Sequence, residues 1–299
     1  MEKVILNKLP VPTFGWLGVN KTEREVESPV NTVKKYDVYP DTDGPSRIDI
    51  KEDGRYEITV SASENTENIV IVYILAKKAQ ISVNVKASAY SKVRVVEIFE
   101  NNTAVIAASD AMLDDSAEFE TVQLYLGGDD TVSEIKASLD GRSSSFKCDI
   151  GYLLADTEKL DINIVASHKG RKTISEIDAK GVMDGRSEKV FRGTIDFIKG
   201  ASGSKGAENE EVLLMNDSVR NKTVPLILCG EEDVEGSHGA SIGRINEEYI
   251  FYMQSRGIPA EKIYEIMADA RIEQIINRIG DEQTVARIRK ALSGSEENE

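Results

Sequence analysis

The chain has 299 residues, 40% of them hydrophobic, enough for one large domain or two modest ones with a substantial core. Its formal charge is −15, from 52 acidic against 37 basic residues, and no Lys/Arg cluster relieves it locally, so nucleic acid and anionic lipid surfaces are excluded as expected partners. No apolar run approaches the roughly 18 residues of a membrane span, and the two lysines of residues 1–9 precede no signal-like stretch, so the expected location is cytoplasmic.

Residues 1–66 mix short apolar pieces with charge and read as an N-terminal arm. Leu9-Pro10-Val11-Pro12-Thr13 is expected to be extended, because each proline fixes φ and disfavours helix in the residue before it. Trp16, the only tryptophan, is expected to anchor the arm on the core, and 39–45 forms a turn cluster.

From 67 to 245 the pattern is β throughout. Segments 69–75, 81–87, 93–99, 103–108, 119–126, 132–139, 145–154, 160–168, 173–183, 190–198 and 224–229 are rich in β-branched and aromatic residues. Turn signals such as Gly127-Gly128-Asp129-Asp130 and His168-Lys169-Gly170 separate them. From Phe119 onward the segments start every 13 to 16 residues, without an intervening helix, and alternation in some of them points to one-sided burial. Sandwich, barrel and β-solenoid are the outlets for such a stretch. The return of Asp140-Gly141-Arg142-Ser143 as Asp184-Gly185-Arg186-Ser187 favours the solenoid, although two ordinary Asp-Gly turns would look the same. The Gly/Ser-rich run 200–206 is expected to be a mobile surface loop.

The segment 246–292 reads as a helical subdomain. A helix is expected over 247–255, ended by Gly257. Beyond Pro259, Ile263, Ile266, Met267, Ala270, Ile275 and Ile279 recur at helical intervals, and 284–292 supplies a third helix. The apolar stripe can cap the end of the β core or dock a partner, and the two uses are compatible. Residues 293–299 form an acidic tail, expected to be disordered.

Two cysteines, Cys148 and Cys229, and two histidines, His168 and His238, are too scattered to define a closed metal site, and two thiols make no disulfide framework. Cys148 and Cys229 read as small buried hydrophobes, and His168 as structural. His238 reads either as a turn histidine or as a ligand, since neutral imidazole binds iron well. No G-x-x-x-x-G-K-[ST] loop occurs, so no nucleotide site is expected. A β-helical polysaccharide lyase or hydrolase would need facing carboxylates, but aromatics are only 6% and no export signal is visible.

Ser237-His238-Gly239-Ala240-Ser241-Ile242-Gly243-Arg244, followed by Phe251-Tyr252-Met253-Gln254-Ser255-Arg256-Gly257-Ile258, resembles the C-terminal signature of the SufB/SufD family, and SufD most. His168-Lys169-Gly170-Arg171-Lys172-Thr173-Ile174-Ser175, Val190-Phe191-Arg192-Gly193-Thr194-Ile195 and the entry segment 9–17 are similar to further family motifs. The resemblance implies a right-handed parallel β-helix with helical flanks, acting as a non-enzymatic scaffold of iron–sulfur cluster assembly. It implies pairing with a SufB-like chain, contact of the C-terminal helices with the SufC ATPase, and a transient iron–sulfur cluster at the subunit interface.

Carried over by residue, the SufD histidine falls on His238, with Cys229 a weaker candidate. The SufC-binding region falls on Tyr249, Phe251, Tyr252, Arg256, Ile263 and Met267. The two SufB glutamates fall on Ser237 and Gly239, the SufB cysteine falls near Val219, and a cysteine frequent in SufD falls on Gly236. These departures favour a SufD-like role in a hetero-pair. The alternatives are a homodimeric scaffold working with SufC alone, or a β-solenoid interaction protein without a metal role.

Overall fold

The computed structural model describes residues 2–13, 15–26, 33–40 and 44–293. The acidic tail expected at 293–299 lies outside them except for Ser293, as do 41–43 of the turn cluster. An antiparallel hairpin, β1 (Glu2–Leu6) and β2 (Thr22–Val26), opens the chain. Then come β3 (Val33–Val38), β4 (Ser46–Ile50), β5 (Gly54–Ala62), β6 (Glu67–Ile74), β7 (Lys78–Ala87), β8 (Lys92–Leu113) and β9 (Glu118–Leu139). They continue as β10 (Ser145–Leu154), β11 (Lys159–His168), β12 (Ile174–Met183), β13 (Glu188–Phe197), β14 (Ser204–Leu214), β15 (Arg220–Cys229) and β16 (Val234–Gly243). Three helices follow, α1 (Glu247–Ser255), α2 (Ala260–Ile276) and α3 (Glu282–Ser293).

All pairings from β3 to β16 are parallel; alternate strands pair, except that the double-length β8 and β9, which span both walls, pair with each other and with β7 and β10. The chain is therefore a parallel β-solenoid of about seven turns, mainly β, as the family resemblance implies. One strand of 13 to 16 residues with its turn is half a coil, which accounts for the sequence recurrence. One wall runs β4, β6, first half of β8, first half of β9, β10, β12, β14, β16. The other runs β3, β5, β7, second half of β8, second half of β9, β11, β13, β15. Strands β3 to β5 thus join the same sheet ahead of residue 67.

One corner holds the register. Asn65, Tyr90, Ser116, Ser143 and Lys172 all adopt φ between 54 and 59° there. Each donates its amide to a carbonyl of the next turn: Asn65 to Ala89 at 3.3 Å, and Tyr90 to Asp115, Ser116 to Arg142, Ser143 to Arg171 and Lys172 to Ser202 at 2.8–3.0 Å. Left-handed backbone is costly for a non-glycine residue, and here the inter-turn hydrogen bond offsets it. The run 200–206 continues this pattern with Gly203 at φ 78°, then enters β14. The expected mobile loop is therefore a tight corner and a strand, because stacking on β12 overrides a flexible composition.

Side chains between the walls form a long apolar core, including Ile58, Val83, Phe99, Phe119, Phe146, Ile150 and Phe191. Phe99 stacks on Tyr125 and Phe119 on Phe146, at 4.6 and 5.6 Å between ring centres. The arm packs outside the β11–β13–β15 wall, where Leu9 and Val19 cover Val224. Trp16 is 83% exposed and anchors nothing; Leu9, Val19 and a buried polar network hold the arm instead. Arg192 pairs with Asp161 at 2.5 Å and donates to the Val19 carbonyl, while Asn7 and Thr22 also donate to the Asp161 carboxylate.

The C-terminal helices do not close the end of the coil. They lie along the outside of the other wall, where Ile263, Ile272, Ile275, Ile276, Ile279 and Ile288 cover Ile71, Val96, Ile98, Val122, Leu124 and Val182. Arg278 on the connection after α2 bridges Asp149 and Asp178 of that wall. Burial there is consequently two-sided, against the one-sided pattern expected, whereas β7 alternates strictly.

A candidate site at the open end of the coil

β15 pairs only with β13, and β16 only with β14, so each leaves one backbone edge unpaired. Pro225 in β15 suits such an edge, since it has no N–H to contribute to a further strand. The Ser237-His238-Gly239-Ala240 motif, rich in turn-forming residues, lies within β16 and is not a turn. Ten consecutive register contacts with β14 extend it. A Cβ on Gly236 would stand 2.8 Å from Ile227 and 3.1 Å from Phe197, so this position faces the lumen. His238, two residues on, shares that side. It is exposed because no turn of the coil lies above it.

Below His238 the lumen becomes polar. His238 stands in register with Glu208 of β14, which is only 4% exposed. Burial, reinforced by the charge of Glu210, pushes the Glu208 carboxyl up to about 8. The carboxyl reaches across the lumen above Gly193, where a Cβ would come within 2.2 Å of its Oε2. Glu210, on the same inner face, forms a buried ion pair with Lys189. It also accepts hydrogen bonds from Thr223 Oγ1 at 2.6 Å and the Tyr152 hydroxyl at 3.2 Å. Burial pulls the Lys189 ammonium below the usual lysine range, and the neighbouring Glu210 charge opposes this. None of Lys189, Glu208, Glu210 or Tyr152 stood out in the sequence. The one available signal was strand parity: Gly206, Glu208, Glu210 and Val212 fall on a single face.

Cys229 ends β15 in register with Phe197 and is exposed, against its reading as a buried hydrophobe; its strand has no neighbour above it. It lies at the corner, and His238 lies four residues beyond the first residue of β16, roughly 13 Å along the strand direction. The structure does not bring the two together. Cys148 is buried in the core, and burial pushes its thiol well up. Among the described residues no group of three or more His, Cys, Asp and Glu side chains could hold a metal ion.

His168, at the end of β11, is fully buried. Its Nδ1 lies 2.7 Å from Thr173 Oγ1, its Nε2 lies 2.8 Å from Ser175 Oγ, and its ring leans on Phe197. Burial lowers it to about 4. Between that value and the 6.5 of an unfolded histidine, the unfolded chain binds the extra proton, so stability falls as pH drops through this window. The loss attributable to His168 is about 3 kcal/mol. Urea unfolding of wild type and His168→Ala between pH 7 and 4 is expected to show this drop in the wild type alone. Equal pH slopes would contradict it.

A groove of about 490 Å³ separates the end of β16 from α1 and α2, lined by Ile242, Arg244, Tyr249, Tyr252 and Met267 among others. Asn246 caps α1 through the Glu248 amide, and α1 buries no residue. Tyr249, Phe251 (73% exposed), Tyr252 and Arg256 all face solvent, and the Arg256 guanidinium lies 5.2 Å from the Tyr252 ring centre. Ile263, by contrast, is fully buried against the wall and Met267 half-buried. Most of the α2 stripe therefore packs onto the coil, with Ile266 and Ala270 left exposed, and α1 presents an aromatic surface to solvent. Among the described residues no helix is long and apolar enough to cross a membrane.

Residues 51–271 match the family model described as SUF system FeS cluster assembly, SufBD core domain. The chain is 27% identical to the iron–sulfur cluster assembly protein SufD of Bacillus subtilis (strain 168), over 55% of its own length and 34% of that protein's. It is 27% identical to SufD of Escherichia coli (strain K12), over 72% of its length and 52% of that protein's. An iron–sulfur cluster assembly SufBD family protein of Arabidopsis thaliana, described as chloroplastic, is 31% identical over 53% of this chain and 26% of that protein. The chain thus spans between about a quarter and about half of these relatives.

Proposed function

Since this chain belongs to the SufBD core family of the SUF iron–sulfur cluster assembly system, we propose that it is a SufD-like, non-catalytic scaffold subunit of a cytoplasmic assembly complex. In this reading its open end pairs with a SufB-like chain, and a nascent cluster forms at that junction as cargo, with His238 as a ligand. The exposed face of α1, with Tyr249, Phe251, Tyr252 and Arg256, engages a SufC-type ATPase, which supplies the nucleotide chemistry. The observation that carries this reading is His238 on the inner face of an uncovered terminal turn, between two unpaired strand edges. Such edges seek another chain to pair with. Two like ends can meet only with their strands antiparallel, an arrangement that closes as a pair rather than growing into a fibre. Ser237 and Gly239, where SufB has glutamates, support hetero-pairing over self-pairing.

Co-expression with a SufB-like chain and a SufC-type ATPase, followed by anaerobic reconstitution with iron and sulfide, tests this. His238→Ala is expected to leave folding and ATPase capture intact while lowering cluster yield. Phe251→Ala with Tyr252→Ala is expected to lower ATPase capture at least tenfold without touching the coil, as aromatic anchors do at interfaces. A homodimer that assembles a cluster with the ATPase alone would overturn the hetero-pair. Loss of solubility in His238→Ala would return that residue to a structural role.

A further inference from the structure

The lumen just below the open end carries two carboxylates, Glu208 and Glu210, but one ammonium, Lys189. That ammonium is engaged by Glu210, whose remaining acceptor capacity is taken by Thr223 and Tyr152. Glu208 has neither a hydrogen bond nor an ion pair among the described residues, although it is nine-tenths buried. Buried carboxylates are ordinarily paired, hydrogen-bonded or metal-bound. Gly193 holds open the space that this carboxyl occupies. The residue directly above Glu208 in the ladder, on the same inner face, is His238. Neighbouring strands of a sheet are about 4.8 Å apart. One ion at roughly 2.0–2.2 Å from a carboxylate oxygen and an imidazole nitrogen can bridge two such positions.

We infer that Glu208 and His238 together form a half-site for one first-row divalent cation at the mouth of the coil. Glu208 is the carboxylate ligand and His238 the imidazole ligand, and water or a facing chain completes the shell. A carboxylate and an imidazole are the donor pair that suits iron(II), cobalt(II) or zinc(II). Cys229 takes no part, being at the far corner of the same turn. The biological meaning of this site rests on the scaffold reading above, since it would give the junction a metal ligand from inside the lumen as well as one on its rim.

The test is anaerobic titration of the isolated full chain with cobalt(II), followed by visible absorption and calorimetry. One ion per chain is expected. Glu208→Gln and His238→Ala should each weaken binding at least tenfold, and Cys229→Ser should leave it unchanged. Glu208→Gln is nearly isosteric, and His238 lies on the exposed turn, so His238→Ala reports even if the first variant is less stable. Undiminished cobalt binding by Glu208→Gln, or none by the wild type, would overturn the inference. If the wild type binds no cobalt yet still pairs and yields cluster, only the half-site fails. If it binds cobalt but never pairs, only the scaffold reading fails.

Discussion

Asp161→Ala is expected to cost about 3–5 kcal/mol and to release the N-terminal arm, the range typical of removing one partner of a buried ion pair. Its carboxylate is the hub on which Arg192, Asn7 and Thr22 converge, and Arg192 in turn holds the Val19 carbonyl. Without it, a guanidinium that is almost wholly buried faces an apolar wall with no counter-charge. Urea denaturation should show a lower midpoint at unchanged slope, and hydrogen exchange should rise over residues 7–24 while the β5–β12 core stays protected. Replacing both partners, Asp161→Leu with Arg192→Met, should recover much of the loss, because hydrophobic substitution of a whole buried pair is often neutral. A single variant as stable as wild type would mean that Leu9, Val19 and Val224 hold the arm by themselves.

Lys189→Met is expected to be comparably damaging, again about 3–5 kcal/mol, for a different reason. It leaves Glu208 and Glu210 together in the lumen with no cation between them. The double variant Lys189→Met with Glu210→Leu should be more stable than Lys189→Met alone, since it removes the stranded charge as well. Equilibrium unfolding of the three proteins at one pH checks this. A double variant worse than the single would place the importance of Lys189 in its packing against Tyr152 and Phe191, whose ring centres lie 5.6 and 5.3 Å from its ammonium.

Much of the coil was legible because its signals are local. Asp-Gly corners and β-branched runs at half-coil spacing mark 145–154, and an apolar run closed by Gly257 marks the helix 247–255, with the boundaries that the structure gives. What escaped was decided by neighbours distant in sequence. β14 and β16 carry glycine, serine and glutamate and would not form strands alone; pairing with the preceding turn of the coil makes them so. The apolar stripe of α2 was readable, but not which surface it covers, since both the end and the wall of a coil offer apolar residues. The outer face of β10 carries Ser145, Lys147 and Asp149, so its sequence does not announce the cover that buries it; Arg278 reaching Asp149 comes from 129 residues away. His238 came from a family motif, and the structure adds its orientation. The charged residues beneath it were invisible because Lys and Glu are ordinarily surface residues.

The register partners Lys92, Glu118, Ser145, Ile174, Lys205 and Glu235 are separated by 26, 27, 29, 31 and 30 residues. The later circuits are longer than the earlier ones while their strands keep ten or eleven residues, so the added residues sit in the corners. Polar groups are enclosed in the early circuits, where Ser109 and Gln123 hold the buried Glu97, and again in the late ones, where Lys189 pairs with Glu210. Trimming two residues from a late circuit would therefore cut into a corner and its hydrogen bond to the next turn, while removing one entire circuit would preserve the ladder of corners.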